Sequence, residues 1–394
     1  MSWPADLAAD ALAGRLRPHA DDGVQLAALV RQARAAGLLG RVGQQVLVAT
    51  DGPVPVQDDA SRGHRNAAAI AAHAEAAMRV SRAQHSEIRR EVRFLLHALA
   101  TLDAPVILLK GAAYVMGGLP AAHGRVFSDI DLLVPKAALP QTESLLMLGG
   151  WMNTHHTAYD QRYYRQWMHE LPPLQHLQRN TVVDVHHTIL PETSRLRPDA
   201  ARLIGASVPV PGVAGLRMLC PADMVLHSMT HLFMNDDMGH ALRDLSDLDL
   251  LLRHFGDGGA GGPDFWQRLV EHAGWHQLRR PLFYGLRYTA RLLGTPVPAE
   301  ARRALRGAAP GPALLALMDA IWHRALRSPH PEAAPPGRAA ALGALYLRGH
   351  WLRMPPVMLA RHLTVKALRL HQRGDRDGRA GADGERQTAA DAPR

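Results

Sequence analysis

Three residue types are scarce in this chain of 394 residues, and each scarcity excludes some chemistry. Cys220 is the only cysteine, so neither an intramolecular disulfide nor a cysteine-based zinc site is expected. Aromatic residues make up 5% of the chain, and without a zinc-finger or recognition-helix pattern we expect no dedicated DNA-binding module. Lysine occurs only at Lys110, Lys136 and Lys366, so arginine supplies nearly all the positive charge behind the net value of +9.

Long apolar runs are absent as well. No segment approaches the roughly 18 consecutive apolar residues of a membrane-spanning helix, which predicts no transmembrane segment. The opening sequence MSWPADLAAD lacks the basic and then apolar order of a signal peptide, so we expect a cytoplasmic protein. The hydrophobic share of 47% supports a sizeable core. The surplus of arginine could attract nucleotide, RNA or lipid, although much of it should lie on solvated faces.

Two apolar segments between residues 106 and 134 carry most of the functional signal. The second of them contains Asp129 and Asp131 within an otherwise apolar run. Residues two apart on a strand share a face, so the two carboxylates are predicted to lie about 7 Å apart along one strand edge. A D-x-D is common in turns and helix starts. Here, however, burying both charges beside an apolar run is costly unless a divalent cation compensates them.

The first apolar segment, residues 106–109, ends at Lys110 and Gly111, where a strand-to-helix turn is predicted. Free backbone N–H groups at a helix start favour phosphate, and Lys110 would add a positive charge. The alternative is a solvated lysine whose stem covers apolar surface. Arg125 and Ser128, just before the aspartate pair, could contact phosphate or tie down the loop, and Arg125 could equally pair with one of the aspartates.

A third carboxylate follows in a predicted hairpin. The polar residues 178–180 separate two apolar arms, and the second arm reads TVVDVHHTI. Strand alternation places Asp184 and His186 on one face, so Asp184 could complete a cluster with the aspartate pair. His186 could orient a substrate or contact phosphate. Taken alone, an aspartate in a hairpin is usually solvated.

The order of these motifs resembles the uncharacterised nucleotidyltransferase-like family of the DNA polymerase beta superfamily. The matching motifs are LLKG, R-x-x-S-D-I-D-L-L-V and V-D-V-H. The resemblance covers about residues 100 to 255. Residues 242–245 are the candidate for a later Arg-x-x-x-Asp-like motif. Classical members of the superfamily carry Gly-Ser at the start of the first helix, and the serine touches the nucleotide phosphates. This chain has Lys110, Gly111 and Ala112 instead, so the serine function is absent there.

The resemblance implies an α+β fold with a small mixed sheet and flanking helices. It implies that Asp129, Asp131 and Asp184 bind Mg²⁺ (or Mn²⁺), and that Asp184 is also a possible base. The residues expected to serve the nucleotide are Lys110, Gly111, Arg125, Ser128 and His186. The implied reaction transfers a nucleoside monophosphate from a nucleoside triphosphate to a hydroxyl acceptor, which could be a small molecule, a protein or RNA.

Other functions stay open at this point. The same fold could serve a non-catalytic regulatory protein that binds a nucleotide or phospholigand, and the same carboxylates could serve a metal phosphohydrolase. A histidine-centred metal site is suggested by His227-x-x-x-His231, but Ser228 stands where the zinc-protease motif requires glutamate. With 23 histidines such a pair is expected by chance, so we interpret both as packing or acceptor-pocket residues.

Four regions are predicted along the chain. Residues 1–99 form a helical N-terminal region, 100–215 the nucleotidyltransferase-like core, 216–370 a helical C-terminal domain and 371–394 a disordered tail. Within the C-terminal domain, helices are predicted over 222–233, 241–255 and 265–272.

Overall fold

A seven-stranded mixed sheet surrounded by helices forms the protein, which confirms the predicted α+β class. The computed structural model describes residues 4–16, 22–43, 62–153, 168–234, 237–256 and 258–354. The predicted tail at 371–394, and residues 355–370 of the predicted C-terminal domain, lie outside the described residues.

The N-terminal region is helical. Its helices are α1 (Leu7–Leu12), α2 (Gly23–Ala35) and α3 (Arg62–Ala98). The side chains of Asp6 and Asp22 cap the first two, each accepting a hydrogen bond from a backbone N–H of the first turn. Near the end of α3 buried apolar residues recur every three or four positions, at Ile88, Val92 and Leu95. This stripe joins α3 to the main hydrophobic core.

The sheet has its functional strands at the centre. The strands are β1 (Val106–Leu108), β2 (Asp129–Leu133), β3 (Trp151–Asn153), β4 (Leu174–His176), β5 (Val182–His186), β6 (Val208–Pro209) and β7 (Leu216–Met218). Their order is β3-β4-β5-β2-β1-β7-β6. Strand β2 runs parallel to β5, β1 runs parallel to β7, and the other neighbours are antiparallel. The sheet therefore extends to residue 218, beyond the core limit predicted at 215.

The predicted hairpin is present as β4 and β5, and α3 holds its turn in place. Asn180 has a φ of 57°, which closes the turn in the left-handed region. Arg179 Nε donates to Glu91 Oε2 at 2.8 Å, and Thr181 Oγ1 donates to Glu91 Oε1 at 2.7 Å. Because Glu91 is almost fully buried, these bonds fix the start of β5 against the N-terminal region.

Helices cover the sheet and form the C-terminal part of the described chain. They are α4 (Lys110–Met116), α5 (Leu139–Leu148), α6 (Ala200–Gly205), α7 (Pro221–Met234), α8 (Ala241–Gly256), α9 (Phe265–Trp275), α10 (Arg279–Leu293), α11 (Ala299–Ala304), α12 (Pro312–Ala325) and α13 (Arg338–Arg353), with 3₁₀ turns at Pro120–Ala122, Lys136–Ala138, Arg306–Ala308 and Pro331–Ala333. The three helices predicted between 222 and 272 correspond to α7, α8 and α9. One hydrophobic cluster extends from α3 to α13. Among the described residues, no helix has the length and apolar character needed to cross a membrane.

Candidate active site

Three carboxylates meet where β2 and β5 lie side by side. Asp131 and Asp184 are register partners on these parallel strands, and Asp129 is two residues earlier on β2. One ligand oxygen from each of the three lies within 4.8 Å of the others. We call Asp129, Asp131 and Asp184 the carboxylate triad. Ile130 and Leu132, on the opposite face of β2, are buried in the core, as strand alternation predicts.

A lysine and a histidine contact Asp131, the most buried member of the carboxylate triad. Lys110 Nζ lies 3.7 Å from Asp131 Oδ1, and His186 Nε2 lies 3.0 Å from the same oxygen. His186 Nδ1 in turn lies 3.3 Å from Glu170 Oε2. The imidazole of His186 therefore connects two carboxylates, one of which belongs to the triad.

The buried charges shift the ionisation of the triad in opposite directions. Burial acts to raise the pKa of Asp131, but the charge of Lys110 and the hydrogen bond from His186 hold it well below its usual value. Burial, followed by the charges of Asp131 and Glu170, raises the pKa of Asp184 to about 7. Burial and the charge of Asp131 also raise the pKa of Asp129. Like charges in close contact produce this divergence.

The triad has the donor set that suits Mg²⁺. All three ligands are carboxylates, which this hard cation prefers, and they leave coordination positions for water and phosphate oxygens. Asp184 Oδ1 is buried and has no hydrogen-bond partner in the described structure. A buried carboxylate oxygen without a partner is costly, and a divalent cation between the strands would satisfy it. The residues therefore fit the metal that the family resemblance implies.

Lys110 and Gly111 are the first two residues of α4, directly after the predicted strand, and packing explains the glycine. A Cβ added to Gly111 would lie 2.0 Å from Cδ1 of Phe127. Only glycine therefore lets the Phe127 ring pack against the start of α4. Lys110 has a φ of 39°, a left-handed conformation that costs a non-glycine residue of the order of 1–2 kcal/mol. In this conformation the ammonium lies 3.7 Å from Asp131 Oδ1.

The loop before the triad is fixed from two sides. From α3, Ser81 Oγ donates to the carbonyl of Arg125 at 2.9 Å, and Gln84 Oε1 accepts the backbone N–H of Phe127 at 2.6 Å. At the end of the loop, Ser128 Oγ donates to Asp129 Oδ1 at 3.1 Å. The N-terminal region thus positions the segment that leads into β2.

Arg125 forms ion pairs with α8 instead of with the triad. Its guanidinium contacts Asp247 and lies 3.7 Å from Asp244. Arg41 shares Asp247 at 3.0 Å and also donates to Ser246 Oγ at 2.7 Å. We call Arg41, Arg125 and Asp247 the buried ionic network. It corrects one pairing considered from the sequence, because the ion pairs of Arg125 are with Asp244 and Asp247 on α8 instead of with an aspartate of the triad.

The cleft has two chambers that meet at the triad. The Arg243 chamber, of about 190 Å³, is lined by Lys110, Gly111, Arg125, Val126, Phe127, Ser128, Asp129, Asp131, His231, Asp237, His240, Arg243 and Asp244. The Glu170 chamber, of about 250 Å³, is lined by Lys110, Asp129, Asp131, Met168, His169, Glu170, Asp184, His186, Ile189, Leu190, Pro191, Thr230, His231, Met234 and Arg353. Lys110, Asp129, Asp131 and His231 belong to both.

The structure thus brings every predicted site residue to this cleft. Lys110 and His186 contact the triad directly. Gly111, Arg125 and Ser128 line the Arg243 chamber, so their proposed contacts with a nucleotide stay a prediction.

Glu170, His169 and Thr230 are site residues that the sequence did not reveal. Glu170 reaches the triad because it forms an isolated β-bridge with His186. A single glutamate before Leu-Pro-Pro gives no local signal of this position. Thr230 lies one residue before His231 on α7, so the helical spacing of the histidines was the nearest available hint. His231 does line the site, whereas His155 and His156 lie outside the described residues.

The lone cysteine belongs to a separate buried cluster. Cys220 Sγ lies 3.3 Å from Asp223 Oδ2, and His272 Nδ1 lies 2.7 Å from Asp223 Oδ1. The thiol and the imidazole both donate to the carboxylate, which stabilises the packing of α7 against α9. Hydrogen bonding within the protein accounts for this cluster.

Comparison with known proteins agrees with this geometry. A family model described as an uncharacterised nucleotidyltransferase matches residues 22–294, which is more than half of the chain and includes α3, the whole sheet and α7 to α10. A comparison with curated proteins gives no match. The span of the family match, together with the carboxylates on β2 and β5, shows that the chain belongs to this uncharacterised nucleotidyltransferase family.

Proposed function

We propose that this protein is a Mg²⁺-dependent nucleotidyltransferase that transfers a nucleoside monophosphate from a nucleoside triphosphate to a hydroxyl acceptor. One observation carries the proposal: Asp131 and Asp184 face each other in register on parallel strands, with Asp129 beside them. Nucleotidyl transfer needs negative charge neutralised and two oxygens held in line at phosphorus. A cluster of three carboxylates at one sheet position supports that role.

The carboxylate triad would hold the metal. Bound Mg²⁺ would neutralise phosphate charge and orient the attacking and leaving oxygens. Asp184 lies beside the position of the metal and would accept the proton of an acceptor hydroxyl, the role of base that the family resemblance implies. Lys110 has its pKa raised because the surrounding carboxylates, led by Asp131, outweigh the effect of burial, so it stays cationic.

The triphosphate fits best in the Arg243 chamber. Lys110 and Arg243 supply positive charge there, and Ser128 supplies a hydroxyl at the chamber wall. The hydroxyl donates to Asp129 Oδ1, so it would offer a phosphate oxygen a hydrogen bond only by turning away from that carboxylate. The Phe127 ring and the guanidinium of Arg125, 4.8 Å from the ring centroid, give the wall a rigid surface.

The test is a binding and turnover experiment with the purified protein. Each of the common nucleoside triphosphates, labelled at the α-phosphate, is titrated with and without Mg²⁺, and pyrophosphate release and label transfer are followed in cell extract. Asp131→Asn should abolish metal-dependent binding and transfer. Asp103→Asn, an exposed position in the loop before β1, is the matched control and should behave as the unchanged protein.

Each outcome separates the candidate functions. Pyrophosphate release with label on an extract component supports the transferase. Release of inorganic phosphate without label transfer would favour a phosphohydrolase, and metal-dependent binding without turnover would favour a regulatory nucleotide-binding protein. If no nucleotide binds in the presence of Mg²⁺, the proposal is wrong.

A further inference from the structure

Buried polar atoms without hydrogen-bond partners are concentrated in the Glu170 chamber. Such atoms are rare in folded proteins and usually mark the position of a ligand, ion or water. In the described residues, four of them belong to side chains that line this chamber: His169 Nδ1, Asp184 Oδ1, His186 Nδ1 and Thr230 Oγ1. A metal at the triad would satisfy Asp184, and His186 Nδ1 lies 3.3 Å from the carboxylate of Glu170. His169 and Thr230 belong to neither the triad nor its ion pairs with Asp131, so a metal at the triad does not account for them.

Thr230 is the most informative of these residues. A hydroxyl within a helix ordinarily bonds the carbonyl four residues earlier, as Ser228 does with Met224 at 2.9 Å and Thr289 does with Gly285 at 2.9 Å. Thr230 is fully buried on the same helix as Ser228, yet its Oγ1 has no such bond. Its hydroxyl is therefore left for a group inside the chamber.

The lining of the chamber indicates the kind of group that it can hold. Its volume of about 250 Å³ exceeds the volume of about 190 Å³ of the Arg243 chamber. Apolar side chains, including Ile189, Leu190 and Met234, form much of the remaining wall. A sugar-sized or amino-acid-sized polar group fits this space.

The charge of the chamber limits its ligand further. Glu170 and Asp184 add two carboxylates to those of Asp129 and Asp131, against the cations Lys110 and Arg353. An RNA end would bring phosphates into this acidic space, and RNA binding relies on clustered cations along the backbone. The Arg243 chamber is also lined by four carboxylates, but it has three cations, Lys110, Arg125 and Arg243, and is the proposed position of the triphosphate.

We propose that the Glu170 chamber binds the hydroxyl-bearing group of a small acceptor that is neutral or cationic, with Thr230 and His169 as hydrogen-bonding specificity residues. This inference rests on the proposed function and names the acceptor class for the same site. In the reaction, the acceptor hydroxyl gives its proton to Asp184 and its oxygen forms a bond to the α-phosphorus. The bond between the α-phosphorus and the bridging oxygen breaks, and pyrophosphate leaves on the Arg243 side.

The first experiment tests the two specificity residues. Thr230→Val keeps the shape of the side chain and removes the hydroxyl, and Thr289→Val is the matched control at another buried helical threonine outside the cleft. We expect Thr230→Val to raise the KM for the acceptor about tenfold, the effect of one lost hydrogen bond. The Kd of the Mg²⁺–nucleotide complex should change less than about twofold in both variants. His169→Phe, made as a separate variant, should likewise raise the KM for the acceptor and leave the Kd of the Mg²⁺–nucleotide complex nearly unchanged.

The second experiment needs no variant. Cell extract is separated by ultrafiltration into small molecules and macromolecules, and each fraction is incubated with the unchanged protein, Mg²⁺ and α-labelled nucleotide. A labelled small molecule other than the nucleotide and its hydrolysis products supports the inference. Label on RNA or protein alone overturns the inference and leaves the proposed function standing. Nucleotide binding with no labelled adduct in either fraction overturns the inference and the proposed transfer together, and favours a regulatory nucleotide-binding protein. Absence of nucleotide binding instead refutes the proposed function.

Discussion

Asp247→Asn is expected to destabilise the fold strongly, although residue 247 lies outside the carboxylate triad. Asp247 is 2% exposed and lies between two buried arginines, Arg41 and Arg125. Asparagine has nearly the same shape but no charge, so Arg41 would lose the carboxylate that it pairs with, and Arg125 would keep only Asp244, at 3.7 Å. Removing one member of a buried ion pair costs about 3–5 kcal/mol, because a buried charge is left uncompensated.

The remaining contacts of Arg41 place the expected value at the lower end. Arg41 keeps hydrogen bonds to Ser246 Oγ at 2.7 Å and to the carbonyl of Ala121 at 2.8 Å. We therefore expect a loss of about 3 kcal/mol in the free energy of unfolding. In urea denaturation followed by circular dichroism, this is a midpoint shift of about 1 M or somewhat less with an unchanged slope, because the slope is steep for a protein of this size.

An exposed ion pair gives the matched control. Arg31 and Glu332 pair at 2.9 Å with side chains 47% and 43% exposed. Because solvent screens this pair, Glu332→Gln should cost less than about 1 kcal/mol. If Asp247→Asn shifts the midpoint no more than Glu332→Gln does, the buried ionic network does not stabilise the fold as described. Asp247→Asn should also weaken nucleotide binding, because Arg125 belongs to the loop that leads into β2.

Three further predictions concern residues that touch the site. The pKa of Asp184 is about 7 in the metal-free folded protein, against an ordinary 3.8. The carboxyl therefore lowers the free energy of unfolding progressively as the pH rises from about 3.8 to about 7, and the full loss is present above pH 7. Asp184→Asn should therefore raise the Tm of the metal-free protein at about pH 8 and leave it nearly unchanged at acidic pH; an equal Tm at both would contradict the shift. Gly111→Ala should lower the free energy of unfolding by about 1–3 kcal/mol in urea denaturation, because the added Cβ meets Phe127. Phe127→Leu in the same chain should recover part of this loss. Full stability of the single variant would show that the start of α4 can adapt. Lys110→Met removes the ammonium that lies 3.7 Å from Asp131. Calorimetry should then show that the affinity for the nucleotide falls about tenfold or more. An unchanged Kd would exclude Lys110 from the phosphate site.

The two chambers differ in the side chains that line them. Four carboxylates line each chamber, but the Arg243 chamber has three cations, Lys110, Arg125 and Arg243, whereas the Glu170 chamber has two, Lys110 and Arg353. The Glu170 chamber also contains the buried polar atoms of His169 and Thr230 that have no hydrogen-bond partner in the described structure. These differences support the proposed assignment of the polyanionic donor to the Arg243 chamber and of the acceptor to the Glu170 chamber.

Local patterns predicted the elements that carry the triad. Alternation placed Asp129 and Asp131 on one face of β2, and the polar residues 178–180 marked the turn that leads into β5. These predictions succeeded because side-chain alternation and turn chemistry depend on neighbouring residues. The family resemblance added Asp184 to the cluster, and the register of β2 and β5 brings it beside Asp131.

Packing between distant segments decided what local patterns do not encode. The sequence predicted that Gly111 serves the nucleotide, and this stays a prediction. The structure adds a packing reason for the glycine, because the ring of Phe127 occupies the space where a side chain would lie. Arg125 was assigned to the nucleotide or to the triad, but its partners lie more than a hundred residues away on α8. No spacing rule links such positions, because the pairing depends on how helices dock on the sheet.

The sequence by itself determined the α+β class, the strand-to-helix turn at Lys110 and the aspartate pair of β2, since each rests on short-range periodicity. Only the tertiary structure decided that Glu170 and Thr230 line the cleft and that Arg41 pairs with Asp247 in the buried ionic network. The physical reason is burial. Desolvation makes an unpaired polar atom or charge costly, and which atoms lose water is known only once separate elements have packed together.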